Sequence, residues 1–240
     1  MRKKKHSEER LYECKEYILD TPSLPMSDPA KEVFASPDSP VFLEIGAGKG
    51  GFACGMVKAH GNAAYFAMER VTDCVVIASE RAKKENCIDN LRFILDTADN
   101  LTRIFENGTV DEIFLNFSDP WPKKGYAKRR LTHRRYLAVY MNLLKNGGRL
   151  TFKTDNIPLF EFSLEEIEAI GITPDKLTRD LHSSVYNEGN VVTEYEAAFS
   201  SAGVKINMVS IVKPEGFTID IPDNLKKDRI DFRSRENGGF

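Results

Sequence analysis

The sequence predicts an α/β protein built on a doubly wound, mostly parallel sheet. Short apolar runs alternate with stretches of helical spacing from residue 41 to residue 155. The first apolar run ends in a glycine cluster that opens a helix, the turn by which a parallel strand hands over to its crossover. The chain has 240 residues and 41% hydrophobic content, enough for one sizeable α/β domain with at most a small appendage.

The elements follow in order. Residues 1–40 are polar and punctuated by Pro22, Pro25, Pro29, Pro37 and Pro40, so a short helix over 8–19 and an irregular lead-in are expected. "VFLEI" from Val41 is a buried strand, and "GFACGMVKAH" has helical spacing. "AYFAME" is a second strand, "DCVVIASERAKKE" a helix, "LRFIL" a third strand and "EIFLNF" a fourth. "RRYLAVYMNLLKNGG" is a helix with Gly147 and Gly148 as its stop, and "RLTFKTD" is a fifth strand. "PLFEFSLEEIEAI" is helical and "VKINMVSIV" is a terminal strand. The expected organisation is an N-terminal extension (1–40), a main domain (41–213) and a charged, mobile C-terminal tail (214–240).

Composition excludes several classes. Net charge is −2, so any nucleic-acid binding must rest on a local concentration of Lys and Arg. Cys14, Cys54, Cys74 and Cys87 form no CxxC pair and the histidines form no HExxH, so neither a metal site nor a disulfide framework is expected. Unpaired cysteines fit a reducing, cytoplasmic setting. No apolar run reaches the roughly 20 residues of a membrane helix. "MRKKK" has no apolar region behind it, so no secretory signal and no membrane partner are expected.

"LEIGAGKGGF" fits G-x-G-x-x-G at Gly46, Gly48 and Gly51. A loop without side chains lets a ligand touch backbone at the strand's carboxyl end, although a tight strand-to-helix turn reads the same way. Glu69, ending the second strand, is placed to accept hydrogen bonds from a ribose diol. Glu44 stands two residues before the first glycine. A carboxylate there repels a pyrophosphate but suits an ammonium and a sulfonium, which favours S-adenosyl-L-methionine over a dinucleotide.

The only tryptophan lies in "NFSDPWPKK", delivered to the same edge by the fourth strand. Prolines on both sides of Trp121 stiffen the segment and remove donors, making a flat platform beside Asp119. Between residues 123 and 135 stand Lys123, Lys124, Lys128, Arg129, Arg130, Arg134 and Arg135 with no acid, interleaved with Tyr126. A charge run is often only a solvated face. Here acid, aromatics and bases meet at one edge, which suits nucleic-acid phosphates.

"LEIGAGKGGF", "LNFSDPWPKKGYAKRRLT", "FKTDN" and "GNVVTEYE" together resemble the bacterial tRNA (guanine-N7)-methyltransferase family over about residues 41–212. The resemblance implies a seven-stranded sheet of the Rossmann-like methyltransferase type. It implies transfer of a methyl group from S-adenosyl-L-methionine to N7 of a guanine in the tRNA variable loop, guanine-46. Glu44, Gly46, Gly48 and Glu69 would bind the cofactor, with Asp119 as catalytic residue at the junction of cofactor and target base. In the third-strand loop, where the family carries an acid, this chain aligns Thr97, flanked by Asp96 and Asp99; either acid or the Thr97 backbone would serve the adenine side. Lys123, Lys124, Arg129, Arg130, Asp155 and residues 193–196 (Thr193, Glu194, Tyr195, Glu196) would contact tRNA. Asp155 or Glu196 would read the guanine edge, and Trp121 or Tyr195 would stack on the base. The resemblance covers both monomers and homodimers. Two other readings stand beside these roles: Asp155 as a helix cap, and Thr193 with Glu196 as a capping box. His133 reads as a surface residue and His182 as a cleft residue. The competing functions are an RNA-binding protein with a decayed cofactor pocket and a nicotinamide-dependent oxidoreductase.

Overall fold

A computed structural model describes residues 7–20 and 24–225. Seven strands form one sheet in the order β3-β2-β1-β4-β5-β7-β6. They are β1 Val41–Ile45, β2 Ala64–Glu69, β3 Leu91–Leu95, β4 Val110–Asn116, β5 Leu144–Thr154, β6 Lys176–Thr178 and β7 Asn207–Val212. The first five strands pair in parallel; β7 runs antiparallel between β5 and β6. The helices are α1 Ser7–Tyr12, α2 Pro29–Phe34, α3 Gly51–Ala59, α4 Thr72–Glu85, α5 Leu101–Ile104, α6 Arg134–Leu143, α7 Ile157–Ala169 and α8 Glu194–Ser201. Among the described residues no helix is long and apolar enough to cross a membrane.

Alternation along the strands divides the core in two. Val41, Leu43 and Ile45 of β1, with Phe66 and Met68 of β2, join a cluster with Leu137, Tyr140, Leu159 and Phe160 of α6 and α7. Phe42, Tyr65 and Ala67 point the other way, into a cluster with Phe52 and Val57 of α3 and Val75 and Ala78 of α4. Both faces are covered, so β1 is buried throughout and reads as a continuous apolar run. Strand order reverses between β1 and β4, which opens a crevice at their carboxyl ends.

Several elements differ from expectation. The helix expected over 8–19 splits into α1 and a 3-10 turn, Lys15–Tyr17. The chain must extend there, because Leu19 N donates to Phe93 O (2.8 Å) on the edge strand β3. The lead-in contains α2, capped by Asp28 with Pro29 at its first position. Helix α6 ends at Leu143 rather than at the glycine pair, since Leu144 already pairs with Val110. Gly148 serves the irregular strand start instead: a Cβ there would lie 2.8 Å from Lys145 O and 3.0 Å from Asp111 O. Within the expected tail, Phe217, Ile219, Ile221 and Leu225 pack on the core; residues 226–240 lie outside the described residues.

Candidate active site

Two chambers meet at the crevice, with Gly46 and Phe117 as shared walls. The outer one, about 580 Å³, is lined by Glu69, Asp96, Thr97, Asp119, Trp121 and Arg135 among others. The inner one, about 190 Å³, is lined by Glu44, Gly48, Asn116, Thr193, Glu194 and Tyr195 among others.

The glycine loop is held by the acid at the end of β2. Glu69 accepts from Gly48 N (3.0 Å) and Val71 N (2.8 Å), so its carboxylate ties the first loop to the start of α4. Gly50 has φ +74°, and a Cβ on it would meet the Ala78 Cβ at 2.9 Å. This glycine therefore serves the close approach of α3 and α4.

Glu44 is buried at the inner chamber, accepting from Asn116 Nδ2 (3.2 Å) and Tyr65 Oη (3.5 Å). Burial pushes its carboxyl up to about 7; Asn116 and the Lys153 ammonium act in the opposite direction. The Oδ1 of Asn116 is buried with no hydrogen-bond partner among the described residues, and sequence reading missed it. A cationic, donor-rich group would satisfy both. Between about pH 4.5 and 7 the folded protein holds a proton that the unfolded chain has released, so apo stability falls as pH rises through that window. Glu44→Gln should therefore stabilise the apo protein at pH 8, by about 1–3 kcal/mol, and flatten this pH dependence. Thermal melts at pH 5 and pH 8 test this; equal melting shifts at both would refute it.

In the third-strand loop, Asp96 Oδ1 accepts from Thr97 N (2.7 Å) and Asn100 Nδ2 (2.6 Å). Asp99 is engaged by Arg135 (3.3 Å) and the Tyr136 hydroxyl (3.0 Å). Thr97 faces the outer chamber beside both acids.

Residues 117–121 leave the sheet through two unusual conformations, Phe117 at φ +50° and Trp121 at φ +41°. Bulky residues rarely adopt this region, and each costs about 1–3 kcal/mol unless its surroundings impose it. Asp119 stands between them with its side chain 71% exposed and, among the described residues, only a long contact, 3.4 Å, to Arg70. Trp121 packs edge-on against Tyr126 (5.9 Å between centroids), and the Arg129 guanidinium lies 4.9 and 4.8 Å from the two rings. Arg129 is thus part of a stacked ledge. Lys123, Lys124 and Lys128 are exposed.

Other expected tRNA contacts divide. Glu196 is fully buried and saturated: it accepts from Lys153 Nζ (2.7 Å), Asn190 Nδ2 (2.8 Å) and its own α8 capping box with Thr193. It cannot read a base edge from there; the reason is the buried Lys153, whose role sequence reading missed. Thr193 is buried as the helix cap. Glu194 pairs with Arg81, and Tyr195 is half exposed, 5.0 Å from the Phe117 ring and stacked on Phe199 at 4.3 Å. Helix α7 is capped by Asn156, not by Asp155, which leaves Asp155 half-buried near Tyr195. Arg130 is turned inward onto the backbone of residues 120 and 121. His133 is not a free surface residue: its Nδ1 caps α6 by accepting from Arg135 N at 3.1 Å. His182 lies behind Glu196, 3.3 Å away, and lines neither chamber.

This sheet order, with its glycine loop and with β7 inserted antiparallel between β5 and β6, defines a Rossmann-like class I methyltransferase. A family model described as "Putative methyltransferase" matches residues 38–209. The chain belongs to this family, that of the tRNA (guanine-N7)-methyltransferases, which use S-adenosyl-L-methionine. Solved structures share the fold at low identity. The 16S rRNA methyltransferase KamB is 10% identical, with a TM-score of 0.59 over 80% of this chain and 100% of KamB. An antibiotic-related methyltransferase is 17% identical, with a TM-score of 0.57 over 82% of this chain and 96% of its own. The geranyl diphosphate C-methyltransferase of Streptomyces coelicolor A3(2), solved with S-adenosyl-L-homocysteine, is 14% identical, with a TM-score of 0.51 over 86% of this chain and 76% of its own.

Proposed function

We propose that this methyltransferase acts on tRNA, methylating N7 of a guanine in the variable loop, guanine-46. The observation that carries the reading is Asp119, set on a proline-flanked loop at the outer chamber and followed directly by the aromatic and cationic ledge of residues 121–129. The unpartnered Oδ1 of Asn116 and the buried Glu44 fit the methionine ammonium of S-adenosyl-L-methionine, and Glu69 fits its ribose diol. Asp96 and Thr97 line the same chamber as Glu69, which supports assigning them to the adenine side. When bound, that cofactor supplies an electrophilic methyl group on a positively charged sulfur.

Guanine N7 carries a free lone pair, so no residue has to remove a proton. The protein's task is alignment. The purine gains positive charge as it takes the methyl group, and the Asp119 carboxylate stabilises that charge. Asp155, which reaches solvent beside Tyr195, is better placed than Glu196 to accept from the guanine N1–H and N2–H₂ donors. Tyr195 offers a stacking face, while Lys123, Lys124 and Arg129 meet phosphates. A cytoplasmic setting belongs to the same proposal.

Methyl transfer to an unmodified tRNA transcript, followed by aniline cleavage at 7-methylguanosine, tests the reading. One cut in the variable loop is the expected result. Incorporation of label without that cut would assign a different atom or a different substrate.

A further inference from the structure

The loop that carries Asp119 is unusual in how little of its own backbone holds it. Pro120 and Pro122 have no N–H. Phe117 N donates to Lys153 O (2.9 Å), and among the described residues no backbone N–H from 118 to 122 makes a backbone hydrogen bond. Yet Phe117 and Trp121 are both kept at positive φ. Something beyond the segment must impose this shape.

Arg130 does so. Its Nε donates to Pro120 O (3.0 Å) and its Nη2 to Trp121 O (3.1 Å), two parallel bonds from one planar fork. The guanidinium also lies on the Phe162 ring of α7, 4.2 Å from the centroid. We infer that Arg130 is a positioning residue that clamps residues 120 and 121 onto α7 and so sets where Asp119 stands, rather than a phosphate contact. This rests on the proposed role of Asp119.

The two roles differ in chemistry. A phosphate contact needs charge, which lysine keeps. A fork spanning two carbonyls while its centre lies 4.2 Å from a ring centroid needs the guanidinium plane, which lysine lacks. Arg129 next door is the contrast, being exposed with its guanidinium 4.9 Å from the Trp121 ring.

Arg130→Lys is therefore the informative change, and the single tryptophan is a built-in reporter. The expected result is increased acrylamide quenching of Trp121 without tRNA, showing a loosened loop. The maximal methyl-transfer rate falls about 100-fold, the cost of misplacing a reacting group by about 1 Å. KM for tRNA and the salt dependence of tRNA affinity stay as in the wild type. Phe162→Leu, which keeps the charge and removes the ring beneath it, shifts quenching and rate in the same direction but less, and serves if Arg130→Lys does not fold. Unchanged quenching overturns the inference, as does a wild-type rate in Arg130→Lys. So does a salt slope shallower by about one in Arg130→Ala, the signature of a lost phosphate contact. If the wild type fails to methylate tRNA, the substrate reading falls, while the quenching measurement still judges the clamp.

Discussion

Asp119→Ala should lower the single-turnover rate of methyl transfer to tRNA by about 100- to 1000-fold, the range seen when one preorganised electrostatic partner of a transition state is removed. Affinity for tRNA should change little. The separation is expected because the Asp119 side chain is 71% exposed and its ion-pair partner among the described residues, Arg70, is 3.4 Å away and itself exposed. An exposed pair of that length contributes little to folding, so loss of activity will not reflect unfolding. Asp119→Asn sharpens the test. The amide keeps the shape and removes the charge. If charge stabilisation is the mechanism, Asn should be nearly as poor as Ala. An Asn variant with most of the wild-type rate would mean that Asp119 acts through shape or hydrogen bonding, and the electrostatic role would be wrong.

The rim of the sheet was legible because strand ends are marked locally. Glu44, Glu69 and Asp119 each sit at or just beyond the end of an apolar run, and the structure places all three around Gly46 and Phe117. What stayed hidden depends on partners distant in sequence. Strand β6 has only three residues, Lys176–Thr178, with no alternation to reveal it; β7 makes it a strand by pairing. Lys153 looks like an ordinary solvent-facing lysine in "FKTD", yet it is buried, because its partner Glu196 arrives from 43 residues away. Glu196 and Thr193 show the converse. The capping-box spacing was visible and correct, but it left open which residues of the segment stay exposed. Arg130 and Arg129 are adjacent and identical in type, and only the fold separates a clamp from a ledge.

Lys153→Met should destabilise the protein by about 3–5 kcal/mol, the loss expected when one member of a buried ion pair is removed and the other is left behind. The Lys153 side chain is 4% exposed and that of Glu196 0%. The ammonium gives its donors to Glu196 Oε2 (2.7 Å), Asn190 Oδ1 (3.0 Å) and Val191 O (3.1 Å), so one residue on β5 fastens the whole approach to α8. Burial lowers the Lys153 pKa, while Glu196 acts to raise it. The pair survives burial because every donor has a partner. Without it, Glu196 keeps only Asn190, its capping contacts and the nearby His182, and an ionised carboxylate must remain in the core or take up a proton. Adding Glu196→Gln to Lys153→Met should therefore recover part of the loss, since the amide is neutral and can still accept in the capping box. Urea unfolding of the single and double variants measures both effects. A single-variant loss below about 1 kcal/mol, the range of exposed pairs, would show that the pair is not the fastening described. The functional consequence follows from the same geometry. Tyr195 stands between the two capping-box residues of α8, Thr193 and Glu196, and against Phe117, so loosening residues 190–196 should weaken tRNA binding although Lys153 itself is buried.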